Sequence, residues 1–301
     1  MPASQNFSFY TCDVFTDTRF SGNPLAVVLD AAALTGQQMQ AIAREFNYSE
    51  TVFVLPPSDP AHGARVRIFT PLRELPFAGH PTVGTAFVLA SCVPQLAGAE
   101  RIVLEEGVGP VTVELERDAS GLRRCVFAAP RLPEPGPPAP PRDELAAMLG
   151  LNASQVLDSA QFWSCGVPFL VVPLSSVEAL QRCKLDLTVW SGVLRGYESR
   201  KVYPVAHAAT AWRVRMFAPD AGVPEDPATG SAAAAFAGWL AHYAPEATRW
   251  SEYTLLQGEE IGRPSRIDLR IDRDGDRVTA VRVGGASVME EFTELQTVVL
   301  S

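Results

Sequence analysis

Histidine and cysteine are scarce: the 301 residues hold four histidines, His62, His80, His207 and His242, and five cysteines, Cys12, Cys92, Cys125, Cys165 and Cys183. The histidines are too scattered to nominate a metal site. The cysteines are odd in number, widely spaced and free of any CxxC pair, which excludes a disulfide framework or a zinc knuckle. Reduced, mostly buried thiols are expected instead. There is no GxSxG for a serine hydrolase and no HExxH for zinc, and Gly222–Ser231 lacks the lysine of a phosphate-cradling loop. Gly107-Val108-Gly109-Pro110 is a broken GxGxxG and reads as a turn between strands. Neither cofactor nor metal is expected.

Positive charge is also short. Twenty-five Lys+Arg against 34 Asp+Glu leave a formal charge of −9, which argues against nucleic acid and against an anionic membrane, since both need clustered basic residues. Long apolar runs are missing too: the most apolar helical stretch, Ala232 to Ala241, is too short to cross a bilayer. Met1–Phe7 carries no basic segment followed by an apolar one, so a cytoplasmic location is expected. What remains is an ordinary globular composition, 47% apolar with 15 Phe, 5 Trp and 6 Tyr, long enough to bury a sizeable core without staples.

Proline supplies the clearest punctuation. Seven of the twelve residues from Pro130 to Pro141 are proline, which favours polyproline II over helix or sheet and predicts an extended connector that joins no ladder. Patterns on its two sides correspond. Arg67-Ile68-Phe69-Thr70-Pro71-x-x-x-Leu75-Pro76 is echoed 148 positions later by Arg215-Met216-Phe217-Ala218-Pro219-x-x-x-Val223-Pro224. Each copy runs on into glycine and small residues, Gly79-His80-Pro81-Thr82-Val83-Gly84 and Gly230-Ser231-Ala232-Ala233. Phe9-Tyr10-Thr11-Cys12 likewise matches Phe162-Trp163-Ser164-Cys165. These correspondences predict a tandem duplication: an N-terminal repeat over 1–129, a proline-rich linker over 130–141 and a C-terminal repeat over 142–287, with a final strand near 288–301 as a candidate to return to the first.

Periodicity predicts strands near 7–15, 24–29, 51–55, 65–69, 102–105, 111–117 and 123–128, with helices over 36–46 and 81–92. The second half predicts helices over 143–149, 176–182 and 231–242. Its strands fall near 161–165, 168–173, 202–206, 212–217, 252–257, 266–272, 277–284 and 296–300. Asn47 is the expected stop of the first helix. Helices 81–92 and 231–242 are apolar almost all round, the signature of helices enclosed by sheet. The fold class expected is α+β, two pseudo-symmetric halves, each a curled, barrel-like sheet around a central helix.

Two glycine-led helix starts are the best chemical clue, because an N-terminus presents unpaired N–H groups and partial positive charge to a small carboxylate. Simple capping is the competing explanation. Glu50, between a helix end and an apolar strand, is a candidate proton carrier if Tyr48 and Phe53 desolvate it; a surface glutamate entering a strand is the plainer alternative. His80 follows Gly79 at one start. Asp226, before Pro227 at the other, reads either as an N-cap or as a partner for the imidazole.

Together, Ser49-Glu50-Thr51-Val52-Phe53, Arg67-Ile68-Phe69-Thr70-Pro71, Gly79-His80-Pro81-Thr82-Val83-Gly84 and Glu225-Asp226-Pro227-Ala228-Thr229-Gly230-Ser231 resemble the phenazine-biosynthesis PhzF family of isomerases. The likeness extends through Gly22-Asn23-Pro24-Leu25-Ala26-Val27-Val28 to Gly258-Glu259-Glu260-Ile261-Gly262-Arg263-Pro264-Ser265. The resemblance implies a diaminopimelate-epimerase-like fold with the active site between its halves, a homodimer, and no cofactor. It also implies roles: Glu50 as general acid/base, His80, Asp226 and Ser231 as polar groups around the substrate, and the backbone of Gly79, His80, Gly230 and Ser231 as receiver of its carboxylate. In the founding enzymes the implied reaction is isomerisation of trans-2,3-dihydro-3-hydroxyanthranilate, a proton leaving C3 and returning at C1. Related epimerases place a cysteine at each helix start; here those positions hold His80 and Ser231, which disfavours a two-thiol reaction. The expected activity is cofactor-independent proton transfer on a small unsaturated or cyclic carboxylate. The alternative is a non-catalytic carboxylate- or protein-binding member of the same fold.

Overall fold

The computed structural model describes residues 5–119, 121–244, 250–290 and 297–300. Its strands in the first half are β1 (Gln5–Val14), β2 (Asn23–Val28), β3 (Glu50–Leu55), β4 (Ala64–Phe69), β5 (Glu74–Leu75), β6 (Arg101–Glu106), β7 (Gly109–Asp118) and β8 (Gly121–Ala128). The remainder are β9 (Glu134–Pro138), β10 (Gln161–Ser164), β11 (Pro168–Pro173), β12 (Val202–Ala208), β13 (Ala211–Val214), β14 (Trp250–Gln257), β15 (Ser265–Asp274), β16 (Arg277–Gly285), β17 (Ser287–Met289) and β18 (Thr297–Leu300). The helices are α1 (Gly36–Phe46), α2 (Gly79–Cys92), α3 (Arg142–Met148), α4 (Val177–Arg182), α5 (Leu187–Val193) and α6 (Gly230–Tyr243). At 14 residues, α2 and α6 are the longest helices among the described residues, and none is long and apolar enough to cross a membrane.

Two compact units result. The first comprises 1–128 with 284–301, the second 129–283. In the first, β1 is antiparallel to β2, β2 parallel to β3, β3 antiparallel to β4, β4 parallel to β6 and β6 antiparallel to β7. In the second, β10, β11, β12, β13, β14 and β15 pair in the same alternation. The order matches because the connections match: a helix is inserted before each parallel partner, as a parallel crossover requires. The chain also returns to the first unit, since β17 and β18 both pair antiparallel with β1.

The central helices lie where their composition placed them. Every residue of α2 from Gly79 to Ala90 is buried, as is every residue of α6 from Gly230 to Leu240. Side chains are small where the sheet comes close. A Cβ added at Gly84 would lie 2.6 Å from Val14 Cγ2, and one at Gly238 would meet Trp163 Cε3 and come within 2.8 Å of Pro133 Cβ. Gly238→Ala should therefore lose about 1–3 kcal/mol to overpacking, more than the roughly 1 kcal/mol that alanine adds in helix propensity. Gly192→Ala, in α5 with nothing near the added carbon, should gain about 0.4–1 kcal/mol. Denaturant midpoints of the two variants, moving in opposite directions, check this.

α1 covers 36–46 as its periodicity predicts, opened by a capping box between Thr35 and Gln38 and closed by Asn47 at φ 54°. Its apolar side packs Met39, Ile42 and Ala43 on Val28, Phe53 and Phe69. α5 escaped the sequence reading because the short segment carries Thr188, Val189, Gly192 and Val193, all weak helix formers, and buries only Trp190; Asp186, accepting from the N–H groups of Thr188 and Val189, starts it.

The proline run departs from expectation. It is extended, but Glu134–Pro138 does join the ladder, antiparallel to β10 with a register shift between Gln161 and Trp163. Proline lacks only the donor: its segment's carbonyls still accept, those of Gly136 and Pro137 from the side-chain amide Nε2 of Gln161, and an edge strand tolerates the missing N–H groups. The five cysteines are all unpaired and four are buried, as expected. Burial pushes Cys125, Cys165 and Cys183 up to about 12 and Cys12 well above its ordinary value, so these are packing thiols rather than thiolate nucleophiles.

Candidate active site

The start of α2 is unusual in what it leaves open. Ala78, in extended conformation, is the N-cap and supplies no side-chain hydrogen bond. Pro81 has no N–H, and the Thr82 N–H is taken by the Ala78 carbonyl at 3.2 Å. The donors a side-chain cap would otherwise occupy belong to Gly79 and His80. Capping therefore does not account for this glycine, and two adjacent amides remain at the positive end of a buried helix.

Glu50 reaches the same place from β3. Its backbone pairs in register with Leu25 of the parallel strand β2, which brings it alongside Asn23 at the beginning of that strand. Glu50 Oε2 lies 3.1 Å from His80 Nδ1, with the side chains 14% and 3% exposed. The Asn23 amide nitrogen lies 3.3 Å from the same ring nitrogen. Glu50 is neither a surface residue nor shielded as the sequence reading expected. Phe53 is three residues along the strand and so points to the opposite face, into the core beneath α1, while Tyr48 stacks on Phe46. His80 and Asn23 form its environment instead.

Nδ1 is paired with the Asn23 amide, while Glu50 Oε2 lies within ion-pair distance of the ring and has no hydrogen-bond partner among the described residues. His80 Nε2 is buried and has no hydrogen-bond partner among the described residues.

In the second unit α6 begins at Gly230, with Thr229 as N-cap and again no side-chain cap. Asp226 is not that cap, contrary to one of the two sequence readings. It is 4% exposed, and its Oδ2 accepts from the Thr229 hydroxyl at 2.5 Å. Gln257 completes the arrangement, donating to the Asp226 carbonyl at 2.8 Å and to Thr229 Oγ1 at 3.0 Å, and accepting from the Thr229 N–H at 3.2 Å. The Thr229 hydroxyl is thereby turned away from the helix it would cap, which leaves the amides of Gly230 and Ser231 without one. Burial first, and Asp226 second, push the nearby Tyr203 hydroxyl up, so that phenol stays protonated.

Of the residues singled out from the sequence, Glu50, His80 and Gly79 meet in the first unit, and Asp226, Gly230 and Ser231 in the second. Asn23, Thr229, Gln257 and Tyr203 were not assigned roles. Asn23 and Thr229 lie inside blocks that carry the family resemblance; Gln257 borders such a block at Gly258, whose φ is +81°. No group of three or more His, Cys, Asp or Glu among the described residues could hold a metal ion.

Comparison with known proteins places the whole chain in one family. The profile of the phenazine biosynthesis-like protein family matches residues 12–292. An uncharacterized isomerase of Mesorhizobium japonicum is 44% identical over 295 residues, covering 95% of this chain and 96% of its own. The trans-2,3-dihydro-3-hydroxyanthranilate isomerase of Pseudomonas aeruginosa is 39% identical over 277 residues, 92% of this chain and 95% of its own. The crystal structure of a PhzF-family phenazine biosynthesis protein of Bacillus anthracis superimposes with a TM-score of 0.85 at 25% identity, covering 99% of both chains. A match along nearly the whole length, on a duplicated α+β scaffold of the diaminopimelate-epimerase kind, leads to one conclusion: the chain belongs to the PhzF family and is an isomerase of that family.

Proposed function

We propose that this isomerase moves a proton between two carbons of a small unsaturated or cyclic carboxylate, resembling trans-2,3-dihydro-3-hydroxyanthranilate, with Glu50 as its sole proton carrier and no cofactor. The observation that carries the reading is the Glu50–His80 contact of 3.1 Å beside the open start of α2. The ionised Glu50 takes a proton from a saturated ring carbon. The electron pair left behind shifts through the conjugated system, and the same carboxyl returns the proton at the far end. One group on one face is enough, whereas inversion at a single carbon would require a second group opposite.

His80, within ion-pair distance of Glu50, presents Nε2 to a substrate heteroatom. The amides of Gly79 and His80 receive the carboxylate, which suits a helix N-terminus and needs no lysine or arginine. Asp226, with the amides of Gly230 and Ser231, supplies the corresponding polar groups of the second unit, and Gln257 and Thr229 hold them.

The test is exchange. Incubated with 2,3-dihydro-3-hydroxyanthranilate or related cyclic unsaturated acids in deuterium oxide, the wild-type chain should place deuterium at carbon, and Glu50→Gln should not. Label entering equally in both would remove Glu50 from the reaction.

A further inference from the structure

A second carboxyl lies under the same helix start. Alternation along β6 turns Ile102, Leu104 and Glu106 inward, and Glu106 is only 8% exposed. Its Oε1 lies 2.7 Å from the Thr82 hydroxyl, which itself lies 2.8 Å from the carbonyl of Ala78, the N-cap of α2. Its Oε2 is buried with no hydrogen-bond partner among the described residues.

A hydroxyl carries one hydrogen. If Thr82 donates to the Ala78 carbonyl, the 2.7 Å contact requires Glu106 to donate to Thr82. Both contacts are satisfied only while the carboxyl keeps its proton; an ionised Glu106 draws the threonine hydrogen to itself and leaves the Ala78 carbonyl with the Thr82 N–H alone, at 3.2 Å.

The charged groups on neighbouring elements do not supply a counter-charge. Arg67 on β4 is held by Glu74, which sits on β5. Arg65 pairs in register with Glu105 on the outer face of β4 and β6. Glu105 is bound by the N–H groups of Ser58 and Asp59 and by His62. His80 on α2 engages Glu50. Burial accordingly pushes Glu106 up to about 8, against a smaller opposing effect of Thr82. Glu106 and Gly107 also border a groove of about 740 Å³, through which the carboxyl can exchange its proton with water.

We propose that Glu106 is a positioning residue: its retained proton, relayed through Thr82, fixes the Ala78 peptide and with it the Gly79 and His80 amides, so that loss of the proton weakens substrate binding rather than the proton transfer. The consequence for binding rests on the isomerase reading above; the protonation itself does not.

Two measurements decide it. The first needs no substrate. A folded chain that holds this proton to about 8, while the unfolded chain releases it at the ordinary carboxyl value, loses stability as pH rises between those limits and levels off above them. The wild-type melting temperature should fall relative to that of Glu106→Gln across that window; parallel curves would overturn the proposal.

The second follows KM and kcat with whichever acid passes the label test, from about pH 6 to about pH 9.5. Wild-type KM should rise about five- to tenfold on the alkaline side, the worth of one hydrogen bond, with kcat nearly level. Glu106→Gln, which donates without titrating, should flatten that rise. Thr82→Val should raise KM throughout, and Thr82→Ser should restore it, which also serves if Glu106→Gln fails to fold. A Glu106→Gln profile that keeps the wild-type rise, or a Thr82→Val loss confined to kcat, would sink the role while leaving the isomerase reading intact. A wild type that exchanges no label sinks the isomerase reading, and the melting curves still judge Glu106.

Discussion

Glu50→Gln should lower kcat by about 10²–10⁴-fold, with KM and melting temperature changed little. Glutamine preserves the length and volume of the side chain, and its amide can still meet His80 Nδ1, which lies 3.1 Å from the carboxylate. What it cannot do is take a proton from carbon and give it back. The groups assigned to carboxylate binding are backbone amides of Gly79 and His80, untouched by the change, so the loss should appear in turnover. Single-turnover kinetics with a deuterated substrate would separate this from slow release: wild type should show a primary isotope effect and the variant almost no chemistry. A variant with raised KM and normal kcat would instead make Glu50 a binding group.

Glu225→Ala should cost about 3–5 kcal/mol, whereas Glu74→Ala, which breaks the arginine pair of the first repeat, should cost about 0–1 kcal/mol. The two pairs are built alike. Arg67 makes two hydrogen bonds to Glu74, each of 2.7 Å, and Arg215 makes two to Glu225 of 2.8 and 2.7 Å. Each arginine also lies over the phenylalanine two residues on, at 5.1 Å for Phe69 and 5.0 Å for Phe217. Their surroundings differ: the first pair is 33% and 43% exposed, the second 8% and 13%. Water screens the first and replaces it when broken. For Arg215, burial alone would lower the guanidinium, and Glu225, helped by Glu260 and Cys183, raises it; removing the Glu225 carboxylate leaves a buried charge whose remaining hydrogen bonds are to the carbonyls of Leu180 and Cys183. Urea midpoints at unchanged slope would measure both losses. Equal costs would mean that burial is not what separates the two copies.

The echo of Arg-x-Phe-x-Pro was legible because duplication preserved residue types at fixed spacing. The ion pairs of its arginines were not, since Glu74 follows Arg67 by seven residues and Glu225 follows Arg215 by ten, each reached by a chain reversal that no helical or strand period encodes. The same holds at the candidate active site. Local pattern placed Glu50 at a strand start and His80 at a helix start, but their meeting depends on β2 and β3 running parallel, and only resemblance to a family suggested it. The error over Phe53 is simple: three residues along a strand is an odd number, so nearness in sequence became opposition in space. The proline stretch shows the converse limit, because a rule about missing donors says nothing about the acceptors that remain.

The pairing of β1 with β17 and β18 has a consequence for biosynthesis. β1 is made before the whole of the second unit and its partners β17 and β18 after it, so the first unit cannot be completed until the intervening stretch has been synthesised. The uninterrupted stretch from Ala129 to Val283 has all of its own strands earlier. The second unit can therefore settle before the first, the reverse of the usual amino-to-carboxyl order.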